Sequence, residues 1–376
     1  MPRDEDSMVV TPYEVKGDID YGKLVKEFGA ELIDKALLKR FEKHAGELHY
    51  LLRRGVYFAH RDMKWVFDEL EKGNPFFLYN GRGPSGHTHI GHLTQFIFTK
   101  YMQDKFQVPY YFQLTDDEKF LHNFDMTLEQ TNFFARENAL DLIAMGFDPD
   151  KTHIIIDTEH AGTLYPLGIR VAKRITFSTV RATFGFTNSH NIGQIFYTSF
   201  QAVPAFLHCV RVGHNVPCVI PLAIDQDAHF RVARDVLPKL GYYSPAILHS
   251  KFLPGLQQGG KMSASDPESA LFTVDPPEVI QKKLRNAFTG GRGNAAEQRK
   301  LGGNPDICSI FANYQLVFIP EDDKLRKIEH RCRSGEMLCG ECKGICIDLA
   351  TKYLTKHQER REKARDKLED FLLKDH

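Results

Sequence analysis

The chain has 376 residues, 42% of them apolar and 26% charged, with 49 basic against 49 acidic side chains. That length supports more than one core, and the balanced charge is by itself no evidence for a polyanionic partner. No apolar run approaches the ~18–20 residues of a membrane span, and Met1-Pro-Arg-Asp-Glu-Asp-Ser7 has neither an apolar signal region nor the acid-poor character of a transit peptide.

A soluble, cytosolic protein is therefore expected. Seven cysteines, an odd number, argue for reduced thiols or metal ligands over a disulfide framework. From Pro276 to His376 basic residues outnumber acidic ones 20 to 16, which points weakly to that part as the one facing nucleic acid.

In chain order, Ile33 to Leu52 reads as an amphipathic helix and Met63 to Leu70 as another. Phe76-Phe-Leu-Tyr79 is the first strongly apolar strand, ended by the turn-rich Asn80-Gly-Arg-Gly-Pro-Ser-Gly86. A helix follows over His89 to Phe106, with Leu93, Phe96, Ile97 and Met102 on one face, and then the strand Val108 to Leu114. This order is the opening βαβ unit of a doubly wound α/β domain. Leu128 to Met145 is helical and His153 to Ile156 a strand. Pro217 to Ile224 is near-continuously apolar, as a central parallel strand should be. Phe230 to Leu240 is helical, and Ile247 to Phe252 leads into a Gly/Lys/Ser loop at Leu256 to Ser265. Beyond Asp275-Pro-Pro277 the pattern turns helical, ending in the amphipathic Lys352 to Lys374. A domain boundary is placed near residue 275.

Two motifs carry chemistry. Gly81-Arg-Gly-Pro-Ser-Gly-His-Thr-His89-Ile90-Gly91-His92 is a turn whose backbone N–H groups can approach a phosphate, at the positive end of the helix it opens. His89 and His92, at i and i+3, share the first helical turn and can donate to a triphosphate, while Gly91 keeps that face open for an adenine. Lys261-Met262-Ser263-Ala264-Ser265 sits in a loop with Gly255, Gly259 and Gly260. A lysine there can close over departing phosphates. Two other runs lead nowhere. Gly255 to Lys261 nearly spells a P-loop but continues with Met262, and His60-Arg61-Asp62 lacks the Asn of a kinase loop, having Phe67 in its place.

His89-Ile-Gly-His92 on the first βα turn and Lys261 to Ser265 after the last strand together resemble the signatures of class I aminoacyl-tRNA synthetases. Over roughly residues 10 to 370 the chain is similar to eukaryotic-type tryptophanyl-tRNA synthetases. The matching runs are Leu52 to Met63, Gly81 to Ser85, Thr115-Asp-Asp-Glu-Lys119, Ala223-Ile-Asp-Gln-Asp227 and Leu248-His-Ser250. The resemblance implies a Rossmann-type catalytic domain over 71–275 with a connecting insertion at about 120–200. An N-terminal extension (1–70, whose first 30 residues resemble a hairpin that approaches ATP) precedes it, and an all-α anticodon-binding domain over 276–376 follows. It implies a homodimer acting on tryptophan, ATP with Mg²⁺, and tRNA.

The same resemblance assigns ATP contacts to Gly81, Gly83, Ser85, His89, Gly91, His92, Asp225 (on the ribose), Lys261, Met262 and Ser263, with His89, His92 and Lys261 as the catalytic groups. Tryptophan contacts fall to Tyr79 and Gln113 for the indole N–H, to Glu118, Gln201 and Gln226 for the zwitterion, to Tyr197 and Phe230 as walls, and also to Thr115 and Lys119. His87-Thr88 departs from the family pattern and the turn is one residue short, which leaves phosphate contacts from residues 85 to 88 less defined than those of His89 and His92. A tyrosine-specific enzyme and a non-catalytic paralogue are the alternatives.

Cys308, Cys332, Cys339 and Cys342 have the spacing C-x₂₃-C-x₆-C-x₂-C. Such thiolates can form a zinc or iron–sulfur site, and some bacterial members of the family carry a four-iron cluster at similar spacing. Cys339, Cys342 and Cys346 also share one helix face, the pattern of plain core residues.

Overall fold

The computed structural model describes residues 9–10, 15–16, 21–264 and 266–374. The hairpin expected over residues 1 to 30 lies partly outside these. Within them β1 (Val9–Val10) pairs antiparallel with β2 (Val15–Lys16). Seven further strands make the main sheet: β3 (Glu31–Leu32), β4 (Tyr57–Arg61), β5 (Phe77–Arg82), β6 (Tyr110–Leu114), β7 (Thr152–Ile156), β8 (Cys218–Ala223) and β9 (Ala246–Ser250). Their order is β3-β4-β9-β8-β5-β6-β7. The five strands from β9 to β7 are parallel, and β4 and β3 add an antiparallel edge.

The chain winds from β5 out through β6 and β7, then returns to β8 beside β5 and winds the other way to β9. The switch point is therefore the β5/β8 gap, where ligands of such sheets bind. Pairing across it stops early. Phe77 pairs with Cys218 and Leu78 with Val219, and no pair follows. Pro221, with no N–H to give, stands where that pairing has ended. A crevice thus opens between Tyr79–Arg82 and the far half of β8.

Strand alternation divides the core. Leu78, Tyr110, Phe112, Leu114, Ile154 and Ile156 face one cluster, and Phe77, Tyr79, Tyr111, Ile155 and Ile220 the other. Each fully buried large side chain here contributes ~1.5–3 kcal/mol. The first cluster runs on without a break into Ile310, Tyr314 and Leu354 of the C-terminal helices. The C-terminal segment also covers the sheet edge at β7: Leu372 bridges Ile154, Leu373 N donates to Ile154 O at 2.8 Å, and His160 Nε2 lies 2.9 Å from Leu373 O. An open β edge is an aggregation hazard, and this one is closed.

The helices differ from expectation where local caps intervene. The single helix read over Ile33 to Leu52 is two, Lys35–Ala45 and Tyr50–Arg53. Asp34 Oδ1 caps the first at Leu37 N (2.7 Å), and Gly46 ends it at φ 78° with its N–H on Glu42 O. The helix read over Phe230 to Leu240 begins earlier, as Asp227–Val236, and tightens to a 3₁₀ turn at Leu237–Leu240 with Pro238 inside. The final amphipathic stretch belongs to the long helix Cys339–Ala364 and two short turns after it. Strands β3 and β4 had no expected counterpart.

Candidate active site

The helix Ile90–Phe106 opens at the end of the β5 turn, with His89 as its N-cap (φ −111°, ψ 164°). His92, three residues on, accepts from the His89 backbone N–H through Nδ1 at 3.3 Å, and the two imidazole centroids are 3.7 Å apart. Gly91 lines the cavity described below and has a packing reason of its own as well. A Cβ there would stand 2.9 Å from His89 Nδ1, so the glycine makes room for the imidazole. Burial first, then the Arg82 charge, holds both histidines well below their ordinary pKa. At neutral pH they are uncharged N–H donors.

Arg82 builds the turn from inside. Its guanidinium donates to Thr88 Oγ1 (2.6 Å), His87 O (2.8 Å), Gly86 O (3.2 Å) and the Asn138 side chain. Burial lowers its pKa to about 9, opposed by Asp141. The departures at His87 and Thr88 are thus absorbed: Thr88 is an Arg82 acceptor, and His87 meets Phe134 edge-on at 5.3 Å. The second motif returns to the first through the backbone. His89 bridges Phe272 antiparallel, Ile90 N donates to Leu271 O at 2.9 Å, and Thr273 N to Thr88 O at 2.8 Å.

Lys261 lies on a loop followed by a single 3₁₀ turn, Pro267–Ser269, and not by the α-helix a P-loop opens, and its ammonium pairs with Asp225 across the crevice. Ser265 is outside the described residues. Arg61, in the kinase-like run, is spent on Asp227, whose other partners are His249 at 2.7 Å and Arg231 at 3.2 Å.

Gly81, Gly83, Ser85, His89, Gly91, His92, Asp225, Lys261, Met262 and Ser263 all line one cavity of about 370 Å³. A second cavity of about 100 Å³ adjoins it inside the β5/β8 crevice, sharing Gly81, Gly83, Lys119 and Gln226, and lined also by Thr115, Glu118, Gln201 and Phe230. Glu118 is buried, which alone would raise its pKa. The charge and hydrogen bond of Lys119, 2.9 Å away, together with His122 and His229 outweigh this and keep the carboxylate below the usual range. An ionised carboxylate beside a small crevice suits a ligand ammonium.

Tyr79, Gln113 and Tyr197 line neither cavity. They stand one layer behind, with Gln201 between: Gln201 Nε2 donates to Tyr79 Oη at 2.8 Å, and Tyr197 Oη donates to Gln201 Oε1 at 2.5 Å. Phe230 meets the Tyr79 ring at 5.7 Å, nearly edge-on. Sequence reasoning missed Asp157, which takes both oxygens to Gln113 Nε2 (3.0 and 2.9 Å), and its neighbour Asp117. One signal was present, a carboxylate ending the apolar strand Ile154-Ile-Ile156 where the crevice opens. His229, in the second cavity, was also missed.

Cys308, Cys332, Cys339 and Cys342 converge on one small cavity of about 10 Å³. Burial pushes the Cys342 thiol up to about 12. Among the described residues no three His, Cys, Asp or Glu side chains are arranged to hold a metal ion. As the side chains stand, the void between them has room for about one water-sized sphere. Cys346 lies in the core instead.

The family model described as class I tRNA synthetases (W and Y) matches residues 71–354. A tryptophan–tRNA ligase of Pyrobaculum calidifontis is 51% identical over 98% of both chains, and one of Sulfolobus acidocaldarius is 48% identical over 96% of this chain and 94% of its own. Among solved structures, Plasmodium falciparum tryptophanyl-tRNA synthetase superposes with a TM-score of 0.88 at 40% identity, over 94% of this chain and 97% of that one. The similarity first noted to eukaryotic enzymes thus extends to archaeal ones. With two adjoining cavities at the switch point of its sheet, this chain belongs to the class I tRNA synthetases, among the tryptophan–tRNA ligases.

Proposed function

We propose that this chain activates L-tryptophan with ATP and transfers it to the 3′ end of tRNA(Trp). The observation that carries the reading is the pair of joined cavities. One is lined by paired neutral imidazoles, the Asp225 carboxylate and a loop lysine. The other holds an ionised Glu118 among apolar strand residues. ATP fills the first, with its triphosphate on His89 and His92 and its ribose on Asp225. Tryptophan fills the second, with its ammonium toward Glu118 and Gln201 and its indole against Phe230, the crevice deepening toward Tyr197 in the layer behind.

The tryptophan carboxylate attacks the α-phosphorus in line and pyrophosphate leaves. The 2′-hydroxyl of the tRNA's terminal adenosine then attacks the carbonyl carbon of the mixed anhydride, the acyl–phosphate bond breaks and AMP leaves. No general base is assigned. Orientation by the crevice and charge from Lys261 act on the leaving group, and for this Lys261 must leave Asp225. Mg²⁺ arriving with ATP neutralises phosphate charge when bound. Pyrophosphate exchange that depends on tryptophan and not on tyrosine tests this reading. Exchange with tyrosine would favour the tyrosine alternative, and none with either amino acid the non-catalytic one.

The finer divisions are proposals of the same kind. Residues 71–275 act as the catalytic domain, 276–376 read the anticodon, and 1–70 extend the N-terminus. A homodimer formed through the 120–200 insertion is favoured by its large exposed apolar residues, Phe124 (85%), Ile192 (84%) and Phe133 (55%). Cytosolic placement goes with translation, and no helix among the described residues is long and apolar enough to cross a membrane. Should the four converging cysteines take a metal, metal analysis would show zinc, and a visible band near 400 nm on anaerobic protein would show a cluster instead.

A further inference from the structure

The amide of Gln113 has two ends of nearly equal shape, and nothing in its own strand decides which one faces the indole site. Strand alternation puts Tyr79 on β5, Gln113 on β6 and Asp157, just past β7, on the same face of the sheet. Asp157 is anchored there by its own N–H, which donates to Leu114 O at 3.2 Å. Its two carboxylate oxygens lie 3.0 and 2.9 Å from Gln113 Nε2, while Gln113 Oε1 is 2.6 Å from Tyr79 Oη. Turning the amide over would press a carbonyl oxygen against a carboxylate.

We propose that Asp157 is a positioning residue for substrate specificity: it holds the Gln113 amide with Oε1 toward the indole site, and so sets the direction of the hydrogen bonds behind that site. The inference rests on the reading in which Gln113 and Tyr79 receive the indole N–H.

The direction propagates. With Gln113 Oε1 committed as an acceptor, the Tyr79 hydroxyl donates to it. Tyr79 Oη is then free to accept from Gln201 Nε2 at 2.8 Å, and Gln201 Oε1 accepts from Tyr197 Oη. Every donor points inward and the series ends on Asp157. A ligand that displaces one member meets acceptors, which suits a ring carrying an N–H and not one whose heteroatom only accepts. Asp117, hydrogen-bonded to Asp157, completes the anchor. Burial and this second carboxyl raise the Asp157 pKa, so the pair keeps a proton. Shared between the two carboxyls, that proton leaves the Gln113 side of Asp157 an acceptor.

A merely structural Asp157 would alter stability without altering which ring is preferred. The test uses pyrophosphate exchange by the full chain with L-tryptophan and with its benzofuran analogue, in which oxygen replaces the indole N–H. The wild type should prefer tryptophan in kcat/KM by at least ~10-fold. In Asp157→Asn, whose amide can donate as well as accept, the ratio should fall at least ~10-fold while KM for ATP stays within about twofold.

The double variant Asp157→Asn/Gln113→Glu exchanges the carboxylate and amide between the two positions and keeps the charge. It should regain the preference, and it serves as the test if the single variant does not fold. A wild type that discriminates, together with an unchanged ratio in Asp157→Asn or a double variant that folds without regaining preference, overturns the role of Asp157. A wild type that does not discriminate overturns instead the indole contact on which it rests.

Discussion

The two ends of the crevice are built on opposite plans. At the end proposed for ATP the groups come from three short runs of sequence, and the main polar contact is an ion pair, Lys261 with Asp225, that a ligand must break. At the tryptophan end they come from three strands and a helix, and their polar atoms are already paired in one continuous series from Tyr197 to Asp157. The first end is poised to rearrange, since a charge has to move when pyrophosphate leaves. The second is fixed in advance, since selecting one ring among several needs donors and acceptors that do not turn.

The largest expected effect separates the ends by charge. Lys261→Ala should lower the rate of pyrophosphate exchange by roughly 10²–10³-fold, the range for losing one preorganised transition-state contact. Tryptophan affinity by equilibrium binding should stay within about twofold. An unchanged exchange rate would remove Lys261 from the chemistry. Next, Glu118→Gln should raise KM for tryptophan by roughly 10–100-fold through loss of a charge-assisted hydrogen bond. KM for ATP should barely move, and a parallel rise in both would show that the two ends are not separable.

Gly81 stands where they meet, and a Cβ there would come within 2.7 Å of Gln113 O on the neighbouring strand. Gly81→Ala should therefore cost about 1–3 kcal/mol in urea unfolding, with both substrates affected together. Full stability in that variant would mean that β5 and β6 can part without penalty.

The smallest effect is one of sign. His89 and His92 have lowered pKa values, so below about pH 6.5 the unfolded chain takes up protons that the folded chain refuses, and stability falls with acid. Asp117 is the reverse. Burial raises it to about 6, so its unfavourable contribution is full above that pH and is relieved as pH drops through it. The two ends thus oppose each other in acid. Asp117→Asn removes the relief and should steepen the stability loss from pH 7 to pH 5 by about 1 kcal/mol. An identical slope in wild type and variant would show that Asp117 does not titrate there.

What could be read from sequence follows the same division. The ATP end was legible because its groups sit in contiguous motifs and because strand, Gly-rich turn and helix have periods of their own. All ten residues expected there line the first cavity. At the other end, Glu118 and Gln201 reach the second cavity as expected, while Tyr79, Gln113 and Tyr197 lie behind it. Resemblance can name those side chains but not their depth, which depends on where β5 and β8 stop pairing. Asp157 and Arg82 went unread for a related reason. Asp157 meets Gln113 across 44 positions and Arg82 meets Asn138 across 56, and no local pattern signals contacts so distant. The break at Gly46 could have been read, since Lys43-His44-Ala45 followed by glycine is an ordinary helix ending.

The pairing of Leu372 and Leu373 with Ile154 has a consequence for how the molecule is made. On the ribosome every strand of the sheet is complete long before the segment that covers the outer flank of β7 emerges. Until then that flank offers its backbone to any passing neighbour, so the nascent polypeptide is most in need of a chaperone during the synthesis of its own helical tail.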